Sequence, residues 1–253
     1  MRRWFINLSF KGTDYAGWQI QQNARTVQGE LDRALSLILR MPTNTIGCGR
    51  TDTGVHASSF FAHFDLPGQE GLPLNESDLV RSLNGILAQD IAIHEIFEVP
   101  TDLHARFSAI QRTYEYKITQ KKEPFLQGLV THSHNKLNLS ELNETCRVLL
   151  GKHDFTSFSR THTQVKTNNC QISEAYWFEN NGLTVFRITA DRFLRGMVRA
   201  IVGTCFKQPS VQIMREIIEA KDRSKAGASA PPEGLFLSDI SYPFTFHHKS
   251  NIE

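Results

Sequence analysis

The chain has 253 residues, 40% of them hydrophobic and 21% charged, with a formal net charge of +2. That composition excludes an intrinsically disordered chain and, with no apolar run of membrane-spanning length, a helical membrane protein. The near balance of charge also excludes nucleic-acid binding by bulk basicity, so any such contact must come from a local cluster. Cys48, Cys146, Cys170 and Cys205 include no C-x-x-C pair, and the ten histidines show no H-E-x-x-H spacing. Neither a disulfide framework nor a metal site is expected. His132 with His134, and His247 with His248, read as surface or loop residues. The N-terminal Met1-Arg2-Arg3-Trp4-Phe5 runs into a strand pattern rather than the apolar core of a signal peptide, and a cytoplasmic location is expected.

Residues 3–11 alternate as a strand, with Trp4, Ile6, Leu8 and Phe10 on one face and Phe5, Asn7, Ser9 and Lys11 on the other. A turn at Gly12-Thr13-Asp14 leads to the aromatic and polar loop Tyr15-Ala16-Gly17-Trp18-Gln19. Its rings either stack on a base or cover the edge of the core. Thr26 is the expected N-cap of a helix carrying Val27, Leu31, Leu35 and Ile38, with Pro42 just beyond its end. After a glycine-rich loop comes a strand with Phe60, Ala62, Phe64 and Leu66. A helix follows, starting at Asn75 or Ser77 with Leu79, Leu83, Ile86 and Leu87, and then a strand from Ile91 to Val99.

The same order recurs. Arg112 to Thr119 reads as a strand with Arg112, Tyr114, Tyr116 and Ile118 facing one way, followed by a helix bearing Leu139, Leu142, Cys146 and Leu149. Gln171–Phe178 and Leu183–Ala190 form a hairpin about Asn180-Asn181-Gly182. Leu194 to Cys205 is expected as an amphipathic helix, Ile213–Ala220 as a further helix and Leu235–Ile240 as the last strand. The expectation is an α+β protein of two ferredoxin-like (β-α-β-β-α-β) halves, 1–107 and 108–253, with mainly antiparallel sheets and a central cleft. Helices on one side of such sheets leave the other face free for nucleic acid. Two stretches, 159–170 and 221–234, read as long loops or linkers, and the first is the better candidate for contact with a polymer.

The glycine-rich loop Gly47-Cys48-Gly49-Arg50-Thr51-Asp52-Thr53-Gly54-Val55-His56-Ala57 holds a single carboxylate beside an arginine between two strand-like segments. Asp52 is either a reactive carboxylate or the cap of a tight turn. Arg195 and Arg199, four residues apart, are expected on one face of their helix, where a solvated surface arginine is the competing reading.

Arg50-Thr51-Asp52, a small residue, then Gly54-Val55-His56-Ala57 closely resembles the active-site motif of the TruA-type tRNA pseudouridine synthases, which usually carry Ala where Thr53 stands. The resemblance extends along the chain through Tyr15–Gln19 with Thr26-Val27-Gln28, His104–Ala109 with Arg112–Tyr116, Asp154–Phe158, Phe193–Gly203, and Ala226–Pro231 with Leu235–Leu237. Lys166-Thr167-Asn168 departs from it, lying where related enzymes often have arginine.

The resemblance implies isomerisation of uridine to pseudouridine in the anticodon stem-loop of tRNA by an enzyme without cofactor or metal, working as a homodimer in which one tRNA contacts both subunits. It implies Asp52 as the nucleophile and Arg199 as its cationic partner. Tyr114 is implied as the surface on which the everted base stacks, and Arg50 as the residue that displaces the base and holds the flanking backbone. Arg106, Arg112 and Arg195 are further candidate RNA contacts. For Tyr114 the alternative is a core tyrosine, and for Arg50 a plain salt bridge to Asp52. A non-catalytic RNA-binding module and an N-glycosidase are the competing functions.

Overall fold

The computed structural model describes residues 1–68, 72–134, 136–160 and 167–244; residues 161–166 of the loop read as a polymer contact, and His247 and His248, lie outside them. In the first half β1 (Arg2–Phe10), α1 (Val27–Leu39), β2 (Ile46–Gly47), β3 (His56–Leu66), α2 (Glu76–Ile86) and β4 (Ile91–Val99) follow one another. The second half runs through β5 (Gln111–Thr119), β6 (Thr131–His132), α3 (Leu139–Cys146), β7 (Gly151–Asp154), β8 (Asn169–Asn180) and β9 (Leu183–Ala190). It ends with α4 (Met197–Cys205), α5 (Val211–Ala220) and β10 (Leu235–Ser241).

Both ferredoxin-like halves are present, and they share one mixed, mostly antiparallel sheet of order β4-β1-β3-β10-β5-β9-β8-β7. The halves join where β10 runs parallel to β3, at Phe236 opposite His56 and Leu237 opposite Ala57. β2 is only two residues long because it shares this edge of β3 with β10, pairing further along at Ala62 and His63.

Local chemistry accounts for several element ends. The Thr26 hydroxyl accepts from the Gly29 N–H at 3.2 Å and starts α1, while Asn75 caps α2 through the Asp78 N–H at 2.8 Å. Asn181 and Gly182, at φ 50° and 77°, make the two-residue hairpin turn whose twist matches its strands. Helices α1 and α2 bury Leu31, Leu35, Leu79 and Leu83 against Ile6, Leu8 and Phe60; a second core gathers Tyr116, Trp177, Phe186, Ile201 and Met214.

Three expectations need correction. The helix expected from Leu194 starts at Met197, because Gly196 at φ 73° interrupts the chain, and eight of its nine residues are buried. The side left for solvent is covered by residues 226–230, the stretch read as a linker: Ala230 N–H donates to the Arg199 carbonyl at 2.9 Å, and Gly227 N–H to the Thr204 hydroxyl at 2.8 Å. Finally, the sheet face opposite the helices is not free in the first half. Phe5 is fully buried there against His63 and Tyr242, with Ala105 and Ala109 joining the same core.

Candidate active site

The loop after β2 is clamped at both ends. Cys48 N–H donates to the Phe61 carbonyl at 2.7 Å, and the Cys48 carbonyl accepts from Arg112 at 3.1 Å. At the far end His56 is wholly buried, its Nδ1 accepting from Gly12 N–H at 2.9 Å and its Nε2 lying 3.1 Å from the Glu233 carbonyl. That pattern requires the neutral ring with its proton on Nε2, and burial holds the imidazole below its usual pKa.

Between the clamps, Val55 N–H closes a turn on the Asp52 carbonyl at 3.2 Å, and Gly54 takes φ 78°, a conformation side chains with a Cβ rarely adopt. The floor under the turn is the Tyr15–Gly17 segment. Gly54 N–H donates to the Tyr15 carbonyl at 3.2 Å, and a Cβ on Gly17 would lie 2.2 Å from the Thr51 carbonyl oxygen. Tyr15 and Trp18 are buried, so the aromatics of this loop belong to the core rather than to a base-stacking surface.

The Asp52 side chain, one-fifth exposed, lies between two guanidinium groups. Arg195 Nε is 3.6 Å from Oδ1 and Arg199 Nη1 is 3.6 Å from Oδ2, with side-chain exposures of 61% and 21%. Their convergence does not come from a shared helix face, as the spacing suggested, because Arg195 precedes Gly196 and the helix. Its carbonyl instead accepts from Arg160 N–H at 2.9 Å. Arg199 is the better anchored, donating through Nε to the Ala230 carbonyl at 2.7 Å. Behind it, Gly203 lies so close to the 226–230 strap that a Cβ there would fall 1.7 Å from the Ala228 oxygen. Arg50 is exposed and, among the described residues, makes no ion pair with Asp52.

Tyr114 occupies the middle of β5, half-buried against both cores, with the ring of Phe193 edge-on at 5.0 Å. Burial pushes its phenol well up, the nearby Asp52 charge acting in the same direction, so the hydroxyl stays protonated. Tyr116, two residues on, is wholly buried and bonded to the Thr131 hydroxyl and the Pro231 carbonyl. Tyr114 shares that face, the one on which α4 packs. The cluster of Asp52, Tyr114, Arg195 and Arg199 therefore lies between the two cores on the helix side of the sheet, not on the opposite face. In the second half that opposite face carries the ion pairs of Glu115 and Glu174 with Arg187, a poor surface for phosphate. A groove of about 580 Å³ between α3 and α5, lined by residues such as Arg147, Leu150 and Val211, shares no residue with the cluster.

Arg106 is exposed, and partial burial followed by the charges of Arg50, Arg112 and Arg192 holds its guanidinium below the ordinary value. Arg112 donates to four main-chain carbonyls. Arg192 and the packing of Phe193 on Tyr114 leave no trace in the sequence beyond the Phe193–Gly203 motif.

A family model described as tRNA pseudouridine synthase matches residues 145–243. The chain is 49% identical over 249 residues to the tRNA pseudouridine synthase A of Porphyromonas gingivalis, covering 96% of this chain and 98% of that one. It is 48% identical over 250 residues to that of Parabacteroides distasonis, covering 96% and 97%. Against that of Bacteroides fragilis it is 48% identical over 248 residues, again covering 96% and 97%. With nearly half its residues identical to these relatives over almost their whole lengths, the chain belongs to the tRNA pseudouridine synthase A family.

Proposed function

We propose that the protein isomerises uridine to pseudouridine in the anticodon stem-loop of tRNA, with the Asp52 carboxylate as nucleophile. One observation carries the reading of the site: a lone carboxylate held 3.6 Å from each of two arginines beside a half-buried tyrosine face. A uridine stacked in a stem or loop hides its glycosidic bond, so it must first be everted, at a cost of a few kcal/mol. Arg50, exposed at the loop and free of Asp52, displaces the base and holds the flanking backbone, and the everted uracil lies against Tyr114. Asp52 then attacks the nucleoside while Arg199, and more weakly Arg195, offset the cost of enclosing its charge.

In the net reaction the N1–C1′ bond is exchanged for a C5–C1′ bond; C5 loses a proton and N1 gains one. The change is redox-neutral and moves no group to a second molecule, so it calls for no cofactor. In this reading Arg106, Arg112 and Arg195 are further contacts to the RNA, with the halves 1–107 and 108–253 as the two walls of the cleft. The protein acts in the cytoplasm as a homodimer in which one tRNA bridges both subunits; among the described residues no helix is long and apolar enough to cross a membrane.

The test is to incubate the protein with an unmodified tRNA transcript and map pseudouridine by carbodiimide adducts that stop reverse transcription. Stops confined to the anticodon stem-loop are expected. Free uracil without pseudouridine points to an N-glycosidase, and binding with neither product points to a non-catalytic RNA-binding module. Sedimentation of the native protein tests the dimer.

A further inference from the structure

Arg112, at the start of β5, ties together three distant segments. Its Nη1 donates to the carbonyls of Ala109 at 2.9 Å and Asp191 at 3.0 Å, and its Nη2 to those of Cys48 at 3.1 Å and Arg106. All four terminal N–H groups are thus committed to main chain. Each of the three segments bears an arginine of its own: Arg50 two residues past Cys48, Arg106 itself, and Arg192 immediately after Asp191.

Among the described residues none of Arg50, Arg106 and Arg192 is in an ion pair. The neighbouring acid, Asp191, has its Oδ1 turned to the N–H groups of Gln171 and Arg192. Like charges gathered with no acid paired to them repel one another unless an anion joins them, and guanidinium forks suit phosphate oxygens. Beside them Phe107 is 76% exposed, with the Arg106 guanidinium carbon 5.6 Å from its ring centre and the His104 ring 4.4 Å away. An open aromatic face next to unpaired arginines fits an unstacked nucleotide, base on the ring and phosphate on the cations. The place is also right: Cys48 leads into the Asp52 loop, and Phe193, next to Arg192, touches Tyr114.

We infer that Arg106 and Arg192, beside Arg50, cradle a phosphate flanking the everted uridine, that Phe107 stacks the neighbouring base, and that Arg112 is a positioning residue that aligns the three segments without touching RNA. This rests on the function proposed above, for which Arg112 was a candidate contact, and it assigns the phosphate to a residue not counted there, Arg192.

The test uses an anticodon stem-loop RNA carrying a single neutral methylphosphonate at each linkage flanking the target uridine in turn. Arg106→Gln and Arg192→Gln are each expected to raise KM about tenfold, to act on KM far more than on kcat, and to lower the salt slope of binding by about one. One methylphosphonate position weakens binding of the native protein and adds little to the loss in Arg192→Gln. Phe107→Ala weakens binding about tenfold. Arg112→Lys keeps the charge but cannot span four carbonyls, so it is expected to remove that coupling while its melting temperature shows it folded. Fully additive losses at both linkages, or salt slopes unaltered in both glutamine variants, overturn the cradle. Coupling that persists in Arg112→Lys overturns the positioning role, and if that variant does not fold, the surface variants still decide the cradle. Pseudouridine formed without coupling sinks this inference alone, whereas coupling in binding without pseudouridine sinks the functional reading alone.

Discussion

The two arginines at Asp52 are equally close but not equally placed, and that difference sets unequal consequences for their removal. A unit charge pair at 3.6 Å in surroundings of effective dielectric about 20 has a gross attraction of about 4–5 kcal/mol. For Arg199, only 21% exposed and held by its Nε bond to Ala230, desolvation offsets part of this and about 2 kcal/mol remains, the usual worth of an interaction with a charged group. Arg195 is 61% exposed, so solvent and salt screen it to about 0.5 kcal/mol. At about 1.4 kcal/mol per factor of ten, Arg199→Gln is expected to slow single-turnover pseudouridine formation about 30-fold and Arg195→Gln only two- to threefold. The assay is rapid quench with saturating enzyme, so that weaker binding does not enter. Equal losses, or a larger loss for Arg195→Gln, would refute the reasoning that anchoring and burial decide which arginine supports Asp52.

Gly203→Ala places a Cβ 1.7 Å from the Ala228 oxygen. It is expected to cost about 2–3 kcal/mol and lower the melting temperature by roughly 5–10 °C, with activity falling as the strap behind Arg199 shifts; an unchanged melting curve would show that the strap yields freely. Tyr114→Phe is expected to lose only part of the activity and Tyr114→Ala nearly all of it, since the proposed role is stacking; complete loss in Tyr114→Phe would bring the hydroxyl into the chemistry. His63 is buried with Nε2 unpartnered, and burial, then the charges of Arg3 and His104, lower its pKa to about 4. Because the folded state favours the neutral ring, this contribution is intact above about pH 6.5 and is lost as pH falls from there toward 4, by about 3 kcal/mol at about 1.4 kcal/mol per unit. Urea midpoints between pH 7 and 4 should therefore fall less steeply for His63→Gln than for the native protein, and parallel curves would contradict the assignment.

What could be read from the sequence was what local chemistry decides. Thr26 and Asn75 announce helix starts because their side chains satisfy nearby N–H groups, and Asn181-Gly182 announces a hairpin because both residues tolerate positive φ. The apolar alternation that marks the strands also implied the two ferredoxin-like halves. What escaped depends on residues distant in the chain. Nothing near Leu194–Cys205 signals that residues 226–230 will cover the helix, so a nearly buried element looked amphipathic. Nothing near Ile46 signals that β10 will occupy the edge of β3 and leave β2 two residues long. At the site, the Asp52 loop stood out through its motif, whereas the link from Arg112 to Cys48 and Asp191 joins side chain to main chain across 64 and 79 residues and leaves no periodic trace.

Because the proposed isomerisation must expel the hydrogen on C5, tRNA tritiated at uridine C5 tests the role of Asp52 most directly. Native protein should release tritium to water, while Asp52→Ala should release none and still bind the tRNA. Undiminished release from that variant would contradict the account.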